Sequence, residues 1–266
     1  MKHLYLFIVV AILSQPILAS KLGKKIQSAG KGPIWSQGIM IGKISDFEKR
    51  GFIFKTNESL FYLGEFQNDD HLEKKNFVPK EVKVSFKSKR ARRNLKKVDL
   101  SKPIIIKYKY LHPLNIFHIH ESNKMALNVE APTSSFRQTK SFRKFGLHFK
   151  AKRGKTKGRY GVGKKQGKIV SVNRWGFLGT TCTTEVHLGG LKKERRVTGY
   201  TQDGMPIYND FDVPNINEMN IYDEAGCLYL EDAMRSQSYV ELKTRSSWFE
   251  IWNKYSTTIT EVKVIK

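Results

Sequence analysis

The chain has 266 residues, with 48 Lys or Arg against 24 Asp or Glu, a formal net charge of +24. One apolar run near the N-terminus is too short and too solitary for a multi-spanning helical membrane protein. The length suits two small domains better than one large one, and the charge points to polyanionic partners: lipid headgroups, acidic polysaccharide or nucleic acid.

Residues 1–19 read as an export signal. Lys2 and His3 form a basic start, Leu4 to Leu13 an apolar run, and Pro16 a break before Ile17-Leu18-Ala19. Cleavage is expected after Ala19, giving a periplasmic or secreted protein; retention as an anchor stays open. Outside the cytoplasm Cys182 and Cys227 are permitted to pair, closing a loop of about 45 residues worth roughly 3–4 kcal/mol. Two buried free thiols are the alternative.

A Gly/Lys/Ser-rich lead follows to residue 37 and is expected to be flexible. The chain then states one pattern twice, at a constant offset of 125 residues. Gly42-Lys43-Ile44 recurs as Gly167-Lys168-Ile169, Gly51-Phe52 as Gly176-Phe177, Thr56 as Thr181, and Leu63-Gly64 as Leu188-Gly189. These are 8 identities in 23 gapless columns, where average composition gives about one or two. Two copies of one structural unit are expected, at 38–130 and 163–266.

In copy one the alternation of Ile39 to Phe47 predicts a strand. Glu48 to Gly51 reads as a turn, Phe52 to Thr56 and Leu60 to Leu63 as strands around a bend at Asn57-Glu58-Ser59. Val82 to Phe86 predicts a strand and Ser88 to Val98 a Lys/Arg/Ala helix. Ile104 to Tyr108, Ile116 to His120 and Met125 to Val129 complete the copy. Copy two repeats the order with strands at Lys168–Val172, Gly176–Thr180 and Glu185–Leu188. A helix follows at Ala225–Met234, then strands at Val240–Leu242, Phe249–Trp252 and Ile259–Val264. Residues 190–216 read as an insertion with turn signals at Asp203-Gly204 and Asn209-Asp210. The fold class is mainly β: two tandem small barrels, OB-like or SH3-like, each with one helix.

Between them, 131–162 reads as a flexible basic linker. Ala131 to Thr184 contains no Asp or Glu, and Arg137 to Lys168 holds 13 Lys or Arg among Phe136, Phe142, Phe145 and Phe149.

The repeated Gly42, Ile44, Gly51, Phe52, Ile53, Thr56, Leu63 and Gly64, with their counterparts Gly167, Ile169, Gly176, Phe177, Thr181, Leu188 and Gly189, the Ile104-to-Tyr108 strand and Trp252, resemble a module of small exported or membrane-anchored bacterial β proteins. That family brings no established activity. Similar proteins sometimes bear a 6-phosphogluconate dehydrogenase label, which implies a dinucleotide-binding domain. The residues argue against it: in Gly161-Val162-Gly163-Lys164-Lys165-Gln166-Gly167 the third glycine is one place late, and the segment leads into a strand rather than a helix. It reads as a hinge, and no cofactor is expected.

His118 and His120 alternate on a strand and could share a metal with His112, His148 or His187, but the spacing is not diagnostic, and no metal is expected. No nucleophile elbow is present. The carboxylates Asp203, Asp210, Asp212, Glu218, Asp223, Glu224, Glu231 and Asp232 read as a solvated face, with a hidden acid/base pair as the alternative. The stronger signal is basic. Lys87, Lys89, Arg90, Arg92, Arg93, Lys96 and Lys97 lie within eleven residues, and Arg143, Lys144, Lys150, Lys152 and Arg153 follow in the linker, whose phenylalanines could enter a membrane interface. The expected function is a non-catalytic envelope protein that binds an anionic membrane surface, an acidic polymer or a protein partner. The alternatives are an exported nucleic-acid-binding protein, with Phe and Arg stacking on bases, and an envelope-polymer hydrolase.

Overall fold

The computed structural model of the chain describes residues 36–50, 56–64, 76–110, 122, 124–151, 160–175, 181–247 and 257–265. Copy one contains β1 Gln37–Arg50, β2 Thr56–Leu63, β3 Glu81–Ser85, helix α1 Lys89–Leu95, β4 Ile104–Tyr110 and β5 Lys124–Glu130. A 3-10 turn at Phe136–Gln138, helix α2 Lys140–Phe145 and the short β6 His148–Lys150 follow. Copy two contains β7 Tyr160–Trp175, β8 Thr181–Tyr200, β9 Pro206–Ile221, helix α3 Glu224–Arg235, β10 Tyr239–Ser247 and β11 Thr257–Val264. The chain is mainly β. The segment read as a signal, the part of the lead before Ser36, and the strands expected at 52–55, 116–120, 176–180 and 249–252 lie outside the described residues.

Pairing closes each copy on itself. β1 pairs with β2 and β4, β2 with β3, β3 in parallel with β5, and β5 with β4. β7 pairs with β8 and β10, β8 with β9, β9 in parallel with β11, and β11 with β10. Both are closed rings of five strands with a helix between the third and the fourth.

The repeat also fixes register. Lys43 pairs with Tyr62 and Ile44 with Phe61 before a bulge, after which Asp46 pairs with Leu60. Adding 125 to each number gives Lys168 with His187, Ile169 with Val186, a bulge, and Ser171 with Glu185, which is the pairing found in copy two. Gly42 and Gly167 sit at equivalent points, each under a backbone carbonyl that leaves no room for a Cβ. Gly64 and Gly189, which end the two hairpins, both have positive φ, 94° and 88°, the region glycine tolerates without strain. The bend expected at Asn57-Glu58-Ser59 is instead continuous strand, with Ser59 Oγ donating to the Asp46 carbonyl at 2.7 Å.

Side chains alternate across these strands. In copy two Val172, Cys182, Thr184, Val186, Met219 and Ile221 are buried, and α3 packs over them with Cys227, Leu230, Ala233 and Met234 on one stripe. Asp223 caps α3 by accepting from the amides of Ala225 (2.9 Å) and Gly226 (3.3 Å), while Glu224 and Arg235 suit the helix dipole. Cys182 on β8 and Cys227 on α3 are joined in a disulfide, with Cα atoms 5.9 Å apart.

The rings are sewn together. The start of β1 pairs with the end of β7, from Gln37 opposite Arg174 to Met40 opposite Ser171, so the eleven described strands belong to one sheet. The described part of the linker is built in rather than flexible. Thr139 caps α2 by accepting from the Phe142 amide, the Ser141 amide donates to Asp232 of α3, and β6 pairs with β11. Phe136, Phe145 and Phe149 surround the Tyr229 ring at 5.1, 6.3 and 5.4 Å between centroids. These aromatic contacts supply the order that the lysine-rich sequence does not advertise.

The stretch 190–216 is the outer part of a β8–β9 hairpin, paired from Leu191–Pro214 to Tyr200–Pro206. Its turn falls at Asp203-Gly204, as expected, whereas Asn209-Asp210 lies within β9. Near its base the arm touches copy one, where the Val78 amide donates to the Asp212 carbonyl and the Asp212 amide to that of Asn76.

Candidate functional site

Helix α1 is a cationic array. Ser88 caps its start by accepting from the Ala91 amide, Ala91 and Leu95 are buried, and Asn94 donates to Asn128 of β5 at 2.7 Å. That anchorage turns every basic residue of the segment outward: Lys87, Lys89, Arg90, Arg92, Arg93, Lys96 and Lys97 are all exposed. None forms an ion pair among the described residues, and the nearby Asp99 is paired with Lys102 at 3.5 Å. Seven cations on one short segment repel one another, and an external polyanion relieves this.

In the linker Arg143, Lys144 and Lys150 are exposed, with Lys144 lying over the Phe145 ring at 5.2 Å. Lys152 and Arg153 fall outside the described residues. Phe136 and Phe149 are buried, and Phe142 and Phe145 pack against the core. The expectation that these rings enter a membrane or stack on bases is therefore overturned.

A second place was invisible in the sequence. The outer face of β7–β8–β9 carries Ser171, Asn173, Thr183, Glu185, Glu218 and Asn220, and it faces copy one across a cavity of about 630 Å³. Copy one supplies Lys80, Tyr108, Tyr110 and Lys124. Lys80 Nζ lies 2.5 Å from Glu185 and 3.7 Å from Glu218, and Ser171 Oγ donates to Glu185. Burial drives the Glu185 carboxyl up, but Lys80, Ser171 and Lys124 outweigh it and hold it below its usual value. The Tyr108 hydroxyl, pushed far up by burial, donates to Asn173 across the seam. Lys124 Nζ sits over the rings of Tyr108 and Tyr110 at 5.6 and 5.3 Å. Burial lowers the Lys124 ammonium's pKa despite the two glutamates. A larger cavity, about 710 Å³, lies between the 3-10 turn and the end of α3, lined by Arg137, Lys168 and Gln237 among others.

The remaining candidates are dispersed. Gly161 to Gly167 form no phosphate loop and no hinge; they are strand β7, paired with β10 from Ser246–Gly161 to Val240–Gly167. His112, His118 and His120 fall outside the described residues. His148 meets Glu261 at 3.3 Å, and burial pushes the half-buried His187 down. Among the described residues no three metal-ligating side chains converge. Of the carboxylates, Asp203 is at the arm's tip, Asp210 pairs with Arg195, Asp223 caps α3, Glu231 pairs with Arg174 and Asp232 holds α2. They form no single acidic face.

No family model matches the chain, and no curated protein matches it. Among solved structures, it is similar to the wild-type single-stranded DNA binding protein from Thermus aquaticus and to a deletion mutant of that protein, each at 11% identity and a TM-score of 0.23. The alignments cover 87% of this chain and 93% and 94% of those chains.

Proposed function

We propose that the chain is an exported, non-catalytic protein that binds an anionic surface, with α1 as its principal contact and two OB-type barrels as its frame. The observation that carries this reading is the seven exposed cations of 87–97, unpaired among the described residues and held outward by Ala91 and Leu95. Near an anionic membrane each such residue is worth about 1 kcal/mol. The ring order and the helix between the third and fourth strands suit the OB-type barrel better than the SH3-like one. The Cys182–Cys227 disulfide fits an oxidising compartment outside the cytoplasm.

Co-sedimentation with phosphatidylglycerol and with phosphatidylcholine vesicles, each at low and high salt, tests the reading. Binding is expected to phosphatidylglycerol alone, to weaken with salt, and to fall sharply when Arg90, Arg92 and Arg93 are changed to Gln. Equal, salt-insensitive recovery in every supernatant overturns it.

A second reading rests on the ring order, since OB-type barrels use their second and third strands for oligonucleotides. In copy one that outer face carries Leu60, Tyr62 and Lys83; in copy two it faces the cavity. Single-stranded oligonucleotide binding that weakens on Tyr62→Ala favours this reading over the surface one.

A further inference from the structure

We infer that the cavity between the two rings is a binding site for a short uncharged saccharide. This goes beyond the proposed surface binding and uses none of the α1 charges. The volume of about 630 Å³ falls within the range of about 300–1,000 Å³ found for small-molecule sites.

The chemistry of the walls selects the ligand. Lys80 and Lys124 face Glu185 and Glu218, so the cavity holds strong donors and strong acceptors while its principal charges cancel. Glu81, exposed at the rim, tips the remainder towards negative. A phosphate or a nucleic-acid backbone meets carboxylates on that side and is disfavoured. Sugar hydroxyls are each donor and acceptor, and so can accept from an ammonium while donating to a carboxylate.

Lys124 is the group that asks for a ligand. Its ammonium lies on two tyrosine faces and donates no hydrogen bond among the described residues. Lys80, by contrast, is engaged by Glu185 at 2.5 Å. The ammonium opens onto the cavity, where water serves it in the free protein, and an incoming sugar hydroxyl can take that water's place. Tyr110, half-buried beside it and edge-to-face with Tyr108 at 5.5 Å, adds the apolar wall against which the C–H face of a sugar ring lies. The Thr183 hydroxyl donates to Asn220 at 3.1 Å and Tyr108 donates to Asn173, so this part of the floor is held in place before any ligand arrives.

The test is calorimetric titration of the full chain with maltose, cellobiose and N,N′-diacetylchitobiose, with glycine betaine and inorganic phosphate as charged controls. At least one sugar is expected to bind saturably and more tightly than either control. Lys124→Met, which keeps the apolar stem and removes the ammonium, is expected to weaken it by at least about tenfold, as is Tyr110→Ala. An unchanged circular-dichroism spectrum and a cooperative urea transition show that both variants are folded. Absence of saturable binding by all three sugars overturns the inference. So does unchanged affinity in folded Lys124→Met, or preferential binding of either charged control.

Discussion

Gly42 lies directly against the carbonyl of Tyr62, with no space between them for a side chain. Gly167 stands in the same relation to the carbonyl of His187, 125 residues further on. Gly42→Ala and Gly167→Ala are each expected to destabilise the chain by about 1–3 kcal/mol, since the backbone itself must move. Gly161→Ala, where nothing lies within 4 Å, is the control and should be neutral or stabilising by up to about 1 kcal/mol. Urea unfolding of the three variants checks this.

The disulfide between Cys182 and Cys227 ties β8 to α3 across a sequence separation of 45. Changing both to Ala is expected to lower stability by about 3–4 kcal/mol through the freed unfolded chain. Denaturation midpoints of the wild type with and without reductant should differ, and those of the variant should coincide.

Two carboxylates give acid unfolding opposite signs. The folded Glu185 value lies below the usual 4.5 because Lys80, Ser171 and Lys124 outweigh its burial. Its contribution is present above about pH 4.5 and disappears as pH falls through the folded value. Burial raises Glu231, with Arg174 only partly offsetting it, so stability there falls as pH rises from about 4.5 through the folded value. Glu185→Gln is expected to flatten the loss of stability on the acid side, and Glu231→Gln to steepen it. Urea midpoints between about pH 3 and pH 7 decide the matter.

The β8–β9 arm ends in exposed apolar side chains, with Tyr200 70% and Met205 65% accessible and Val197, Ile207 and Tyr208 also exposed. Since these side chains are exposed, replacing residues 197–208 by Asn-Gly, between the paired Arg196 and Asn209, should change stability by less than about 1 kcal/mol. Removing the patch is expected to reduce self-association, read by light scattering of both forms.

The repeat was legible because its identities are geometric. Gly42 and Gly167 permit a close strand crossing, Gly64 and Gly189 end the hairpins, and Ile44 and Ile169 precede the bulges. The helices at 89–95 and 224–235 and the outward basic face of α1 were readable from composition and spacing. The order of 131–151 was not, since it comes from contacts to Tyr229 and Asp232, about 80 to 90 residues away in sequence. The cavity was hidden for the same reason: Lys80 meets Glu185 across 105 residues, and Tyr108 meets Asn173 across 65.

The seam between β1 and β7 has a consequence for the twin halves. It joins the beginning of one strand to the end of its counterpart, so no twofold axis relates the modules and their matching positions live in different neighbourhoods. Gly38 is wedged between Tyr108 and Asn173, whereas its counterpart Gly163 touches only the Thr244 hydroxyl, at 3.2 Å. A methyl group at Gly163 needs only a slight shift of Thr244, whereas one at Gly38 must displace Asn173 and Tyr108, the pair that bonds across the seam.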